Sequence, residues 1–266
     1  MKRTTIAIII IAVISYLAVL VSVTVENLST KTLPEINFGG SRTSTVALDA
    51  APARIAELRV ADHDAALVYC SIPRLRIVAD DTVASPRLTV PERFESYVRL
   101  EPEGDTLKLS FVSPDGNDAG VHVEGELVLH LPVMPVSIIN RITKETLLEG
   151  AVADTMSFSG SSKLMLTDCD VKRLSVNIKD RFFNPSVALC DDSHVGSLSV
   201  SGADSWLKLD ADSTSAVGSL TLESVKGVKI GAGSRIDDIR HKASGGKSQL
   251  TIEADGDFRT GLNLYH

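Results

Sequence analysis

Eight carboxylates fall just after short apolar segments in the C-terminal part of the chain: Asp168, Asp170, Asp191, Asp192, Asp210, Asp212, Glu253 and Asp255. If those segments stack, the carboxylates crowd together, and like charges must splay into water or share a cation. Ca²⁺ takes roughly six to eight oxygen ligands and accepts such ladders, so Asp168, Asp191, Asp210 and Asp212 are the candidate metal ligands. The plainer alternative is that Asp makes turns by bonding its own backbone. The glycine-rich nonapeptide of calcium-binding coils is missing. Nothing in the chain signals any other cofactor.

The remaining chemistry-bearing residues form no recognised constellation. Asp62-His63-Asp64 and Asp191-Asp192-Ser193-His194 place a histidine beside carboxylates, a pairing that suits proton transfer. No His or Cys pair has zinc-site spacing. Ser244-Gly245-Gly246-Lys247 matches a Ser-x-x-Lys pattern that needs a helix, and its two glycines oppose one. His122 and His130 alternate with apolar neighbours and are expected on the solvent side of strands. For contacts with a partner the candidates are Phe182, Phe183 and Trp206. Phe182-Phe183-Asn184-Pro185 interrupts an otherwise regular rhythm and predicts a projecting loop; capping a core corner is the bland alternative. The aromatic residues form no column at a fixed period, as sugar platforms on a polysaccharide lyase or glycosidase would.

That rhythm defines the elements that position these residues. Leu164-Met165-Leu166, Val187-Ala188-Leu189, Leu207-Lys208-Leu209, Val228-Lys229-Ile230 and Leu250-Thr251-Ile252 open five copies of one phrase. In the first three copies an acidic turn follows, then an apolar-x-x-apolar-x-apolar run such as Val171, Leu174 and Val176. The starts lie 23, 20, 21 and 22 residues apart. A period of about twenty residues is a solenoid signature, and Leu-x-Leu places both leucines inward. Glycines such as Gly196 and Gly218 are expected at coil corners. Between Thr45 and Pro135, short alternating segments such as Leu107–Phe111 are separated by Pro73, Pro86, Pro91 and Pro114-Asp115-Gly116, and read as strands. Val136–Gly150 fits either a strand and loop or a helical turn.

The expected organisation is therefore all-β. Residues 1–25 are an apolar anchor, 26–44 a tether, 45–150 an irregular β part and 151–266 regular coils. Ile6 to Val25 are twenty uncharged residues behind Lys2 and Arg3, enough at about 1.5 Å each to cross a bilayer as a helix. No Ala-x-Ala cleavage site follows, which favours an uncleaved signal anchor over a cleaved signal. Either keeps Lys2 and Arg3 cytoplasmic and sends the body into the periplasm or to the cell surface. The body carries 25 basic against 34 acidic residues, a net −9, which disfavours nucleic acid. Three cysteines are too few for a disulfide framework. Cys169 and Cys190 sit at different offsets in successive copies; small buried hydrophobes and a disulfide are both open.

An anchored N-terminus, irregular strands with Leu131-Pro132, Leu-x-Leu coils and Ser-Gly corners (Ser159-Gly160, Ser201-Gly202) resemble the bacterial auto-transporter adhesin family of the head GIN type, over residues 45 to 266. The resemblance implies an exported right-handed single-stranded β-helix. The expected function is a non-catalytic, membrane-tethered solenoid that presents a surface to protein or glycan at the envelope. The alternatives are a carbohydrate-active enzyme (lyase or glycosidase) on a β-helix and a homo-oligomeric envelope scaffold.

Overall fold

The computed structural model describes residues 35–40, 42–48, 55–63, 67–116, 119–160, 163–178, 185–202, 206–225, 227–242, 251–254 and 259–261. The anchor at residues 6–25, Phe182, Phe183 and the Ser244–Lys247 motif lie outside them. No helix among the described residues is long and apolar enough to cross a membrane.

The fold is all-β, in two large sheets of twelve and eleven strands. The N-terminal part comprises β1 (Glu35–Phe38), β2 (Thr43–Ala47), β3 (Glu57–His63), β4 (Leu67–Ala79) and β5 (Arg87–Pro91). A 3₁₀ turn at Glu92–Tyr97 leads to β6 (Val98–Glu103), β7 (Thr106–Phe111), β8 (Ala119–Val123) and β9 (Glu126–Leu131). Among the described residues, antiparallel pairs (β2 with β5, β5 with β9, β6 with β7) occur only here. Pro73 was expected to end a strand, yet it lies inside β4. The strand changes partner there, from β8 over Leu67–Ser71 to β9 from Arg74 onward. A residue without an N–H is tolerated where one ladder stops and the next begins. Phe38, Phe94, Tyr97 and Phe111 pack with ring centroids 4.9–5.9 Å apart, supplying bulk that the aliphatic part lacks.

From β10 (Ser137–Asn140) and β11 (Thr143–Glu149) onward the pattern becomes regular. Lys144–Glu149 is strand, which decides the open segment. The chain continues through β12 (Val152–Ala153), β13 (Met156–Gly160), β14 (Lys163–Thr167), β15 (Asp170–Ile178) and β16 (Ser186–Cys190). Then come β17 (His194–Gly202), β18 (Trp206–Ala211), β19 (Ala216–Glu223), β20 (Gly227–Ile230), β21 (Arg235–Lys242), β22 (Thr251–Ala254) and β23 (Arg259–Gly261). Even-numbered strands from β14 to β22 extend the twelve-stranded sheet; odd-numbered strands from β13 to β23 extend the other. All of these pair in parallel.

Inward residues line up across the ladders. Leu127, Leu75, Thr146, Leu164, Val187, Leu209 and Ile230 form one file. Leu107, Leu58, Ile138, Phe158, Val176, Val200 and Leu222 form the facing one. Every member of both files is buried. Two copies of the phrase are displaced from the spacing read in the sequence: Val187 pairs with Leu209, not Leu207, and Val228 with Ile252, not Leu250. Slipping a strand by two residues keeps the same side chains inward, so hydrophobic pattern alone does not choose between these registers.

Candidate functional site

Turns between the two sheets place most of the acidic residues. Asp168, Asp191 and Asp192 adopt positive φ (52°, 52° and 62°), where Gly150 (67°) and Gly233 (84°) sit in equivalent turns. Asp tolerates this left-handed region better than most residues. Asp212 closes its own turn: Oδ1 accepts from Thr214 N–H (3.1 Å) and Ser215 N–H (2.9 Å), and Oδ2 accepts from Asp191 N–H at 2.7 Å. Burial alone would push the Asp212 carboxyl up, but hydrogen bonds from Ser215, Asp191 and Thr214 bring it down to about 2. Asp210 lies within β18 and pairs with Lys208 at 2.8 Å. Among the described residues, no three His, Cys, Asp or Glu side chains converge on one point.

The last residue of each turn points inward and is small: Ala151, Cys169, Ser193, Ser215 and Ser234, all buried. Ser193 Oγ donates to Cys190 O (2.6 Å) and accepts from Cys169 N–H (3.2 Å). Ser215 Oγ accepts from Ser193 N–H (3.0 Å), and Ser234 Oγ from Ala211 N–H (2.9 Å). Each of these serines thus satisfies a backbone donor of the adjacent layer. Cys169 occupies the serine position one layer earlier, and its Sγ faces Leu148 O (3.4 Å). Cys70, Cys169 and Cys190 are all free. Burial pushes the Cys70 thiol up to about 12 and raises Cys169 and Cys190 as well.

The outer faces of the two sheets differ in chemistry. On the twelve-stranded sheet Arg74 bridges to Glu145 (2.9 Å), Lys163 to Glu145 (3.1 Å) and Arg76 to Glu149 (2.5 Å), so its charges neutralise one another. On the eleven-stranded sheet Ser137, Ser157, Ser175, Ser199 and Thr221 occupy one row across five successive strands. Ser159, Asn177 and Ser201 form a second row beside it, in which Asn177 and Ser201 offer their polar groups outward while the Ser159 Oγ is buried. Rows of this kind repeat about every 4.8 Å across strands and about 6.6 Å along them. Glu57 and Arg240 end the first row at its two margins. Among the described residues the side chains of Ser175, Ser199, Ser201 and Thr221 bond to no protein group, unlike the inner serines.

A shallow depression of about 350 Å³ lies on the same strands, separated from these rows by the file Arg173, Ser197, Ser219 and Asp238, and is lined by Asp170, Lys172, His194, Gly196, Gly218 and Arg235 among others. Its glycines lie within strands, although the sequence placed them at corners. A Cβ on Gly218 would sit 2.6 Å from Gly196 O, and one on Gly196 would sit 2.8 Å from Lys172 O. Neighbouring backbones approach too closely there for any side chain.

Trp206, one of the three contact residues inferred from the sequence, opens β18 half-exposed. Its ring lies against Gly227, where a Cβ would come within 2.7 Å of it. Phe182 and Phe183 fall outside the described residues. His122 and His130 are half-buried on strands. His130 Nδ1 lies 3.0 Å from Asp80 Oδ2, a pair whose fifty-residue separation gave the sequence no signal. Sequence reasoning also missed the hydroxyl rows. Their signature was legible: Ser157-Phe158-Ser159, Ser175-Val176-Asn177 and Ser199-Val200-Ser201 alternate a small polar residue with a core residue.

No family model and no curated protein matches the chain. Solved structures similar to it include one from Bacteroides fragilis named a "putative adhesin" (10% identity, TM-score 0.42, covering 85% of this chain and 99% of that one). A second is from Parabacteroides distasonis, named a "putative lipid binding protein" (12% identity, TM-score 0.43, covering 85% and 99%). A third is from Clostridium sporogenes, named a "putative cell adhesion protein" (12% identity, TM-score 0.32, covering 84% and 100%). At these identities and scores the likenesses carry no argument about the family or function of this chain.

Proposed function

We propose that the chain is an exported, membrane-tethered right-handed β-solenoid of the adhesin type, which works by presenting a surface and not by catalysis. The observation that carries this reading is the alternation of successive strands between two parallel ladders, with aliphatic files between them. A chain that returns to the same sheet one layer further on, through the opposite sheet, is winding. Strand twist favours the right hand for such parallel crossovers. The winding builds long, regular outer faces, and on one of them the hydroxyls of Ser175, Ser199, Ser201 and Thr221 bond to no protein group among the described residues, while that of Ser157 donates to Val136 O (3.4 Å). Residues 6–25 serve as the membrane anchor and the body lies in the periplasm or at the cell surface; the tether that holds it off the bilayer is shorter than residues 26–44, because β1 (Glu35–Phe38) pairs with β8 and the start of β2 with β5, which takes that part of the segment into the sheets.

In this reading the acidic residues are turn formers and ion-pair partners, and the solenoid needs no bound metal. The rival on the same fold is a polysaccharide lyase or glycosidase. Incubating the purified full chain with a panel of acidic and neutral polysaccharides separates the two. No shortened or unsaturated product is expected, and turnover of any member would overturn the proposal.

A further inference from the structure

We infer that the hydroxyl rows on the eleven-stranded sheet are the binding face of this solenoid and that their occupant is a neutral polysaccharide chain. The inference rests on the surface-presenting reading above and names its partner. The field from β10 to β19 repeats at the strand spacing and carries no charged residue inside its first row. That is unusual in a chain with 23% charged residues.

Its chemistry discriminates among partners. A protein partner is met through buried aromatic and arginine anchors, and the two rows contain neither. A lipid surface needs apolar area or a basic cluster, and the rows offer hydroxyls and one amide. An anionic polymer would be repelled by a chain of net charge −7. A hydroxyl both donates and accepts, so a row of them suits a ligand that presents donors and acceptors on every unit. Short side chains on a rigid sheet lose little freedom when they are engaged. No aromatic ring supports the sugar faces, so each contact is weak and retention depends on many in series.

The test is retention of the purified full chain on insoluble cellulose, xylan and mannan, with alginate as the anionic comparison. The expected result is retention on at least one neutral glycan that changes little with salt, and none on alginate. Ser175→Lys with Ser199→Lys should lower retention by about tenfold or more, and Ser175→Ala with Ser199→Ala by several-fold. Ser175→Thr with Ser199→Thr keeps both hydroxyls and should restore binding, so a variant that merely misfolds is recognised. Absence of retention on all three neutral glycans overturns the inference, as does retention that neither the Lys nor the Ala pair weakens. A concentration-dependent dimer abolished by the Lys pair, without glycan retention, would assign the face to a second copy instead. These failures leave the surface-presenting function standing; cleavage of a glycan would remove that function as well.

Discussion

Asp212 shows how one side chain can hold two layers together. It accepts hydrogen bonds from its own turn and from Asp191 N–H in the preceding layer. Its folded carboxyl titrates near 2, below the ordinary 3.8. Its contribution is therefore fully present above about pH 4 and fades as pH falls towards 2, reduced by solvent screening because the residue is only partly buried. Asp212→Ala should cost about 1–2 kcal/mol in urea unfolding at pH 7. Asp212→Asn, which keeps Oδ1, should cost less and flatten the pH dependence between 4 and 2. Equal stability of all three proteins at pH 7 would refute the capping role. Cys70 makes the opposite case, of a group kept inert. Its thiol, raised by burial to about 12, supplies almost no thiolate at pH 8. Iodoacetamide at that pH should label Cys70 in urea and leave it unmodified in the native protein, as mass mapping would show. The turn aspartates and the core residues were legible in the chain. The inner serines were visible only as a small residue two before each valine or isoleucine (Ser193 and Val195, Ser215 and Val217, Ser234 and Ile236), a pattern that means nothing until stacking supplies the donor.

The strands β15, β17, β19 and β21 share a feature that alternation does not predict. In β15, Lys172 and Arg173 both face outward between buried Val171 and Leu174, so the strand bends there. Gly196 and Gly218 occupy the same bend in the next two layers, where backbones come close. Gly218→Ala should therefore destabilise the fold by about 1–3 kcal/mol, because the neighbouring strand must move. Ser219→Ala, one residue on and outward-facing, should stay within about 0.5 kcal/mol. A calorimetric comparison decides, and equal melting temperatures would mean that the bend tolerates a side chain. At the N-terminal margin, β6 edges its sheet with exposed Arg99, Glu101, Pro102 and Glu103. Charges and proline there discourage pairing with another chain. Element type was readable from the sequence because period-two alternation survives any register. Register was not, because slips of two residues are degenerate in hydrophobicity; the ladders from β16 to β18 and from β20 to β22 took the alternative the phrase did not suggest.

In the proposed solenoid each layer touches mainly its neighbours, so stability is a sum of layer and interface terms, and the regularity that repeats the core also repeats the surface. That is how serines scattered through the chain become rows. The proposed anchor makes a separate prediction about the intact protein. The full chain should sediment with membranes in high salt and be released by detergent, because insertion of residues 6–25 is apolar and not ionic. A chain lacking residues 1–25 should remain in the soluble fraction. Release of the full chain by salt alone would remove the anchor from the reading. By itself the sequence determined the all-β class, the identity of most core residues and the acidic charge of the body. Composition and alternation are local properties that no packing reverses. Only the tertiary structure decided which outward residues stand together, because that depends on strand register. Register is chosen by backbone approach at glycines, by turn hydrogen bonds and by serine-to-backbone contacts between layers, interactions that join residues some twenty positions apart.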